Sequence, residues 1–383
     1  MTPAARVQAA IECLDRILDG APAEQVLTGW ARGSRFAGSG DRNAVRDHVF
    51  DALRARRSLA ALGGGDTGRA ILLGLLRRDG VDPDSRFTGE PYAPKPLSET
   101  ERSGGRPPLA GAEAADLPDW LWPRFVDSLG ADAAAAAQAM QRRAPVHLRV
   151  NLLRADTGTA LAALERDGIA AERHPAASAA LEVTSGARRV RGSRAFLDGL
   201  VELQDAASQA VVEMLPLRDG MKVLDFCAGG GGKTLAMAAR AKLTLFAHDA
   251  ASQRLRDLPE RARRAGAFVS LAADPAAAGP FDLVLCDVPC SGSGSWRRAP
   301  DAKWRLRPED LDRLRRTQMD ILDRASALLA DGATLAYATC SVLKQENEDL
   351  VRTFVSGAPR EISDERRWNV TGGTDGFYAA HLT

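Results

Sequence analysis

Two short cysteine motifs near the carboxyl end of the chain have the composition of a nucleophilic site. Cys290 stands in Asp-Val-Pro-Cys-Ser-Gly (287–292) and Cys340 in Tyr-Ala-Thr-Cys-Ser (337–341), each directly after an apolar run that predicts a strand. A thiolate can add to C6 of a cytosine, which makes C5 reactive toward a methyl donor. A carboxyl group at Asp287 would draw charge off the ring nitrogen N3. The motifs indicate methylation of a cytosine carbon and leave open which thiol is the nucleophile.

The three remaining cysteines read differently. For Cys13, Cys227 and Cys286 we expect small buried hydrophobic side chains, the usual role of a free cysteine. The chain has five cysteines and no Cys-x-x-Cys pair, which disfavours a disulfide scaffold and a structural zinc site. No ligand cluster is visible among the five histidines, so no metal is expected.

A glycine loop follows the first strand predicted in this part of the chain. Residues 225–234 read Asp-Phe-Cys-Ala-Gly-Gly-Gly-Gly-Lys-Thr. A phosphate loop needs a glycine six residues before Lys233, and Cys227 stands there, so that interpretation fails. Glycines let the backbone approach a nucleoside closely, and Asp249 ends the next strand, where an acidic residue binds ribose hydroxyls. Asp274 ends the third, in position for an adenine amine. This order predicts S-adenosylmethionine as the cofactor.

The last part of the chain, residues 204–383, alternates strands and helices. That alternation predicts an α/β fold with a doubly wound parallel sheet, in which ligands bind at the carboxyl ends of the strands. The predicted strands are Lys222 to Phe226, Leu243 to His248, Ala267 to Leu271, Phe281 to Cys286 and Ala333 to Thr339.

Two smaller parts precede this domain. Residues 1–87 have helical periodicity with arginines around it (42, 46, 54, 56 and 57), which indicates either an RNA-binding bundle or a packing domain without a ligand. Residues 88–118 are rich in proline and glycine and predict a linker or long surface loop. Residues 119–203 read as a small α+β module, in which Arg149 and Asn151 would face RNA or water.

Composition sets wider bounds. The chain has 383 residues, 45% of them hydrophobic and 26% charged, which is typical of a globular protein. No apolar run reaches the length of a membrane span and no signal peptide is evident, so we expect a cytoplasmic protein. The net charge is +1, but residues 297–316 carry eight basic against four acidic side chains. That segment is either a phosphate-contacting surface or a solvated mixed-charge helix.

Together these residues resemble the Nol/Nop/Sun-type RNA cytosine-5 methyltransferases, over most of the chain. The resemblance rests on several motifs beyond the two cysteine motifs and the glycine loop. They are Arg-Val-Asn (149–151), Gln-Asp-Ala-Ala-Ser (204–208), Arg-Arg (297–298), Pro-Asp-Ala-Lys-Trp (300–304) and Asp-Gly-Phe-Tyr-Ala (375–379). The first part resembles the NusB-like helical domain of the bacterial RsmB-like subgroup, which modifies 16S ribosomal RNA. The implied fold is a Rossmann-like methyltransferase domain preceded by that helical domain and a small α+β RNA-recognition domain.

The resemblance also implies roles for single residues. Cys340 is the implied nucleophile, Cys290 assists product release, and Asp287 and Lys233 match active-site positions. The implied cofactor-binding residues are Cys227, Ala228, Gly229, Gly230, Gly231, Lys233, Asp249, Arg254, Asp274 and Asp287, with no metal. One position departs from the family, whose loop usually reads Ala-Pro-Gly-Gly-Lys, because Gly230 replaces the proline.

Three functions stay open at this point. The first is cytosine-5 methylation of 16S ribosomal RNA, and the second is the same chemistry on transfer RNA or another RNA. The third is a non-catalytic RNA-binding assembly factor, which the intact thiols, Asp287 and Lys233 disfavour. An amine N-methyltransferase would carry an aromatic residue where Cys290 follows Pro289. The target nucleotide, the assembly stage of the substrate and the oligomeric state do not follow from the sequence.

Overall fold

A computed structural model describes all 383 residues, which form two compact units. The first unit comprises residues 1–143 together with 296–307, and the second comprises residues 144–295 together with 308–383. This division into two units does not decide the domain boundaries inferred from the sequence, which stay predictions.

The first unit is helical. Apolar residues at helical spacing, among them Val7, Leu14, Val49 and Leu53, are buried in one core, which is why the amphipathic segments fold as a bundle. The helix α1 begins after Thr2, whose Oγ1 accepts the Ala5 N–H at 3.1 Å. The helices are α1 (Pro3–Leu18), α2 (Ala23–Gly33), α3 (Ser39–Arg54), α4 (Arg56–Gly63), α5 (Gly68–Arg78), α6 (Glu99–Ser103), α7 (Trp122–Leu129) and α8 (Ala133–Met140).

No single helix is long and apolar enough to cross a bilayer. The pair α4 and α5, bent by 89°, meets the criterion of length and composition only when its two helices are taken together.

The segment for which the sequence predicts a linker carries ordered contacts of the first unit. Within 88–118, Leu97 and Leu117 are buried, and α6 begins with a capping box between Ser98 and Glu101. Asp116 is fully buried, and its carboxylate accepts the N–H groups of Arg57 and Ser58 at 2.8 and 2.9 Å.

The second unit begins with a small α+β module. Its four strands form an antiparallel sheet in the order β2-β3-β1-β4. Leu148, Val150, Leu164 and Leu181 are buried in its core. The elements are β1 (His147–Val150), α9 (Thr157–Arg166), β2 (Ala170–Arg173), β3 (Ala180–Ser185), α10 (Arg194–Leu197) and β4 (Val201–Leu203).

A seven-stranded sheet forms the rest of the second unit, in the order β10-β11-β9-β8-β5-β6-β7. Its elements are α11 (Ala206–Met214), β5 (Lys222–Asp225), α12 (Gly232–Ala238), β6 (Thr244–Ala247), α13 (Leu258–Ala265), β7 (Ser270–Leu271), α14 (Pro275–Ala278), β8 (Phe281–Asp287), α15 (Asp301–Arg305, which belongs to the first unit), α16 (Pro308–Ser326), β9 (Leu329–Thr339), α17 (Glu348–Gly357), β10 (Ile362–Trp368) and β11 (Phe377–Leu382).

Five adjacent strands, in the spatial order β9-β8-β5-β6-β7, are parallel, as the alternation predicts. The central strand β8 is covered on both faces: Leu283 and Leu285 pack in the core with α11, and Val284 in the core with α16 and α17. The sheet extends beyond these five predicted strands at one edge, where β11 pairs antiparallel with both β9 and β10. The eight-residue connection 369–376 is too short for a crossover helix and suits an antiparallel pair.

Residues 296–307, which follow the Cys290 motif, pack inside the first unit. Lys303 is 2% exposed and donates from Nζ to Arg54 O at 2.8 Å, and Trp304 Nε1 donates to Leu53 O at 2.7 Å. In return, Arg54 Nε donates to Arg297 O at 2.7 Å. Lys303 therefore satisfies a buried backbone carbonyl, and Arg297 is only 4% exposed. Neither residue is part of a phosphate-contacting surface or of a solvated helix face, the two interpretations that the sequence left open for this segment.

We predict that Trp304→Ala destabilises the helical unit by about 2–4 kcal/mol, because it removes a buried hydrogen bond and side-chain packing against the core. Faster hydrogen exchange of the α3 to α5 amides would report the change. Phe36→Ala is the matched control, since that ring is 75% exposed. Equal protection in the two variants would contradict the prediction.

Candidate active site

The carboxyl ends of the parallel strands bring the four predicted reactive residues together. Asp287 is the last residue of β8, Cys340 follows β9, Cys290 lies in the loop after β8, and Lys233 lies in α12. Parallel strands end at the same edge of a sheet, so loops that are distant in the sequence meet there.

The two thiols form a coupled pair. Cys290 Sγ and Cys340 Sγ are 3.4 Å apart. The hydrogen bond with Cys290 lowers the pKa of Cys340; burial and the Asp287 carboxylate oppose this, and the positive charge of Lys233 adds to it. The same hydrogen bond, followed by burial, raises the pKa of Cys290 well above its ordinary value. These directions favour ionisation of Cys340 over ionisation of Cys290.

Lys233 and Asp287 form a buried ion pair beside the thiols. Lys233 is 7% exposed, and its Nζ lies 2.7 Å from Asp287 Oδ2 and 4.9 Å from the centre of the Phe377 ring. Burial alone would lower the pKa of Lys233, but the adjacent carboxylate raises it above the ordinary value. The ammonium is therefore favoured in its charged form, and its charge is among the groups that lower the pKa of Cys340.

A close backbone approach fixes the loop that carries Cys290. The Gly294 N–H donates to Cys340 O and the Gly376 N–H donates to Gly294 O, both at 2.9 Å. A Cβ atom at Gly294 would lie 2.0 Å from Gly376 O, so no larger residue fits there. The second cysteine motif and the Asp-Gly-Phe segment are thereby held against the first.

The glycine loop joins β5 to α12 and lies next to Asp249. Gly231 has φ +79°, and a Cβ there would lie 2.2 Å from Leu258 Cδ1, so only glycine fits. The Gly229 N–H donates to Asp249 Oδ2 at 2.8 Å, and Arg254 Nη1 lies 3.1 Å from the same oxygen. The structure thus brings Ala228 to Gly231, Asp249 and Arg254 to one place, as the cofactor prediction requires.

Asp225 has a buried oxygen with no hydrogen-bond partner. Its Oδ2 accepts from Thr234 Oγ1 at 2.6 Å, whereas Oδ1 has no partner within the protein. Burial raises the pKa of Asp225 to about 7. An oxygen of this kind at the glycine loop fits a ligand that donates a hydrogen bond or carries positive charge.

Asp274 lies on the surface instead, where its Oδ1 accepts the Ala276 N–H at 3.0 Å, and its role stays a prediction.

The three remaining cysteines have environments that suppress ionisation. Burial raises the pKa of Cys13 to about 11 and raises the pKa of both Cys227 and Cys286. The latter two residues lie among apolar side chains of the sheet core. These surroundings agree with the expectation of buried, unreactive side chains, while Cys227 also opens the glycine loop.

Arg149 and Asn151 do not face RNA or water, and that expectation is wrong. Both are at most 4% exposed. Arg149 donates to Gln204 Oε1 and, at 2.7 Å, to Gly232 O, and Asn151 Nδ2 donates to Gly199 O and Ala265 O at 2.9 and 2.8 Å. They connect the small α+β module to the glycine-loop helix and to α13, because the core covers this end of β1.

Three potential ligand groups, His147, His174 and Glu182, approach within 4.8 Å of one another. The sequence did not reveal this grouping, since the residues lie on different strands and loops. Their Nε2–Oε2 distances, 3.9 and 4.0 Å, exceed the roughly 3.3 Å between ligands of tetrahedral zinc. His147 Nδ1 instead lies 3.0 Å from Asp205 Oδ2, and Asp205 accepts the Asp375 N–H at 3.2 Å. We read the group as a support for the Gln-Asp-Ala-Ala-Ser motif.

One residue at the site was missed by the sequence analysis. Glu346 is fully buried, and its carboxylate lies between the residues that follow the two cysteines, Ser291 and Ser341. A single glutamate in a turn carries no pattern that would have identified it.

Comparisons with known proteins agree with this geometry. Residues 212–383 match the family model described as 16S rRNA methyltransferase RsmB/F. Residues 117–189 match the ferredoxin-like domain of the RsmF/B-like methyltransferases. Ribosomal RNA small subunit methyltransferase B of Cronobacter sakazakii is 35% identical over 295 residues, 72% of this chain and 68% of that protein. The same-named protein of Citrobacter koseri is 35% identical over 66% of this chain and 60% of its own length.

Solved structures show the same fold. The crystal structure of PH0851 superposes with a TM-score of 0.74 at 21% identity, covering 100% of this chain and 99% of that one. A methyltransferase homolog protein from Pyrococcus horikoshii gives a TM-score of 0.62 at 24% identity, covering 71% of this chain and 96% of its own. With its Rossmann-like sheet, its ferredoxin-like module and its paired thiols at the strand ends, the chain belongs to the RsmB/F family of ribosomal RNA methyltransferases.

Proposed function

We propose that this protein transfers a methyl group from S-adenosylmethionine to C5 of a cytosine in 16S ribosomal RNA, through a covalent bond between Cys340 and C6. One observation carries the proposal: two thiols lie 3.4 Å apart at the carboxyl ends of β8 and β9, next to the Lys233–Asp287 ion pair. A methyltransferase that acts on an oxygen or an amine needs no thiolate, whereas carbon 5 of cytosine needs a nucleophile at C6.

The residues divide the reaction between them. The Cys340 thiolate forms the S–C6 bond, and the electron pair of the C5–C6 double bond shifts toward N3. The Lys233 ammonium, 2.7 Å from Asp287 Oδ2, passes a proton through the Asp287 carboxyl group to N3 and so neutralises the negative charge that develops there. Carbon 5 then takes the methyl group. The C5 proton then passes to solvent, its electron pair re-forms the C5–C6 double bond, and the S–C6 bond breaks to return the Cys340 thiolate. N3 gives its proton back to Asp287. Cys290 assists the release by donating a hydrogen bond to the departing Cys340 sulfur.

The glycine loop and its acidic neighbours suit the proposed cofactor. S-Adenosylmethionine supplies an electrophilic methyl group on a sulfonium. Asp249 would hold the ribose and Asp274 the adenine amine, and residues 227–231 would line the nucleoside. The unpartnered Oδ1 of Asp225 offers an acceptor to a cationic ligand.

Support for a 16S ribosomal RNA target comes from the relatives. The two relatives named above are small-subunit ribosomal RNA methyltransferases by name. The helical residues 1–87, NusB-like by resemblance, and the small module within 119–203 are the proposed RNA-binding parts. Methylation of transfer RNA or another RNA is the alternative, and a non-catalytic assembly factor is the least supported.

Trapping a covalent complex tests the reaction class and the two thiol roles. With S-adenosylmethionine and 16S ribosomal RNA, Cys290→Ala should give a slowly migrating protein–RNA band on a denaturing gel, because the adduct forms but is released slowly. Cys340→Ala should give no band. Cys13→Ala, at a buried cysteine outside the site, should behave like the wild type.

Other results would change the assignment. A band with Cys340→Ala instead would exchange the roles of the two thiols. Bands with transfer RNA alone would favour the alternative target. The absence of both methyl transfer and adduct with either RNA would favour the assembly factor.

The reactivity of the thiols should depend on pH in a defined direction. Because the pKa of Cys340 is lowered, iodoacetamide should alkylate it at a lower pH than an ordinary thiol, and methyl transfer should rise with pH through the same range. Lys233→Met removes a positive charge that lowers this pKa, so both profiles should move up by about one pH unit. Mass spectrometry of the Cys340 peptide gives the first profile; no shift in Lys233→Met would contradict the assignment.

With glycine at position 230, the wild-type protein should bind the cofactor more weakly than a variant with proline there. A glycine loses more backbone freedom on ordering, so Gly230→Pro should bind S-adenosylmethionine about two- to fivefold more tightly by calorimetry, at about 0.4–1 kcal/mol. A Cβ there would approach only the flexible end of Arg261, at 3.2 Å. Equal or weaker binding by Gly230→Pro would count against this reading of the four-glycine loop.

A further inference from the structure

Glu346 carries the largest set of hydrogen bonds around the two cysteine motifs. It lies in the turn between β9 and α17, and its side chain is fully buried. Oε1 accepts the Ser291 N–H at 2.8 Å and Gln318 Nε2 at 3.1 Å. Oε2 accepts the Ser291 and Ser341 hydroxyls at 2.5 and 2.6 Å.

The direction of these hydrogen bonds is determined by the neighbours. The Ser341 Oγ accepts the Leu343 N–H at 3.0 Å, and the Ser291 Oγ accepts the Ser293 N–H at 3.3 Å. Ser341 Oγ also lies 2.8 Å from Ser293 Oγ, and the Ser293 hydroxyl, which accepts the Val342 N–H, can donate to Ser341. That arrangement leaves the protons of Ser291 and Ser341 for Glu346, and the backbone N–H and the amide of Gln318 are donors in any case. Glu346 thus receives four hydrogen bonds from the two cysteine turns and Gln318.

This carboxylate connects the residues that directly follow the two thiols. Ser291 follows Cys290, and Ser341 follows Cys340, so both turns bind the same side-chain oxygen. Gln318, which donates to Glu346 Oε1, also donates to Pro289 O at 2.9 Å. One buried group thus connects the segments on both sides of the 3.4-Å thiol contact.

We propose that Glu346 is a positioning residue for methyl transfer: its buried carboxylate holds the Cys290 and Cys340 turns at their working separation. The proposal rests on the function proposed above. Glu346 acts through Ser291 and Ser341 and does not itself contact the base. A chemical step that uses two thiols in sequence loses rate steeply when their spacing changes by an ångström.

The negative charge of Glu346 also affects the pKa values of the two thiols differently. It is among the groups that raise the pKa of Cys290, after the Cys340 hydrogen bond, burial and the Cys340 charge. At Cys340 the charge of Lys233 lowers the pKa, whereas burial and the Asp287 carboxylate raise it. The Glu346 carboxylate therefore favours keeping the proton on Cys290, which the release step requires. A residue with a purely structural role would leave this difference unchanged.

Glu346→Gln is the decisive variant. It preserves shape and the Oε1 acceptor but replaces Oε2 with an amide that cannot accept from two hydroxyls. We expect kcat to fall about 10- to 100-fold, because the spacing and the proton placement are lost. The KM values for RNA and S-adenosylmethionine should change less than about twofold, since Glu346 touches neither. Alkylation of Cys290 should move to lower pH.

Glu348→Gln is the matched control in the same segment. Its carboxylate binds Arg367 Nη2 at 2.6 and 2.7 Å and contacts neither serine of the cysteine turns. It should retain kcat and both alkylation profiles. Unchanged kcat and unchanged Cys290 alkylation in Glu346→Gln would overturn the proposal. The proposal would also fail if kcat fell only in proportion to the amount of folded protein and the folded fraction kept the wild-type alkylation profiles.

A second variant keeps the test decisive if Glu346→Gln does not fold. Ser341→Ala removes one of the two hydroxyls on Oε2 and should lower kcat in the same direction, but by less. If both variants fold, their effects should be less than additive in the double variant, since both break the same contact. Full additivity would show that Glu346 does not act through Ser341.

The thiol measurements separate this proposal from the proposed function. Alkylation profiles need no RNA and no methyl donor. If the wild type neither methylates RNA nor forms an adduct, the proposed function fails. If it does both but Glu346→Gln leaves the profiles and kcat intact, only the role of Glu346 fails.

Discussion

Lys233 is 7% exposed, a degree of burial that a lysine ammonium tolerates only when nearby groups replace its lost hydration. Asp287 supplies a carboxylate oxygen at 2.7 Å, and the face of the Phe377 ring lies 4.9 Å away. Because these residues belong to α12, β8 and β11, the compensated charge connects three elements at the carboxyl end of the sheet. The two charges act on the pKa of Cys340 in opposite directions, since Asp287 raises it and Lys233 lowers it, so the reactivity of that thiol depends on the same ion pair.

The positions of Asp287, Cys290 and Cys340 could be predicted because they depend on a local rule. Each follows an apolar run, and the ends of parallel strands meet at one edge of the sheet. Glu346 could not be predicted in this way. Its partners Ser291 and Gln318 lie 55 and 28 residues away, and only the folded chain brings them together. A lone glutamate between a strand and a helix otherwise reads as an exposed residue of a turn.

The same limit explains the errors. Arg149 and Asn151 stand on and beside a short strand, where polar residues usually face solvent, but the core covers them and uses them to bind backbone carbonyls. The basic count after Cys290 likewise does not distinguish an exposed arginine from Lys303, which the first unit buries. The antiparallel edge was missed because β10 is mostly charged, as befits an edge strand. In each case the packing partner decides the role, and that partner lies far away in the sequence.

The carboxylates around the glycine loop suggest how the site would distinguish cofactor from product. In the proposed reaction the donor is a sulfonium cation and the product is a neutral thioether. Coulomb attraction to Asp225 and Asp249, which are 1% and 6% exposed, is stronger in a buried site than in water, so these groups would hold the proposed donor more firmly than the product. Burial raises the pKa of Asp225 to about 7, and an approaching cation would lower it. The donor would thus favour the ionised form of Asp225, and methyl transfer, which removes the positive charge, would weaken the attraction before the product leaves.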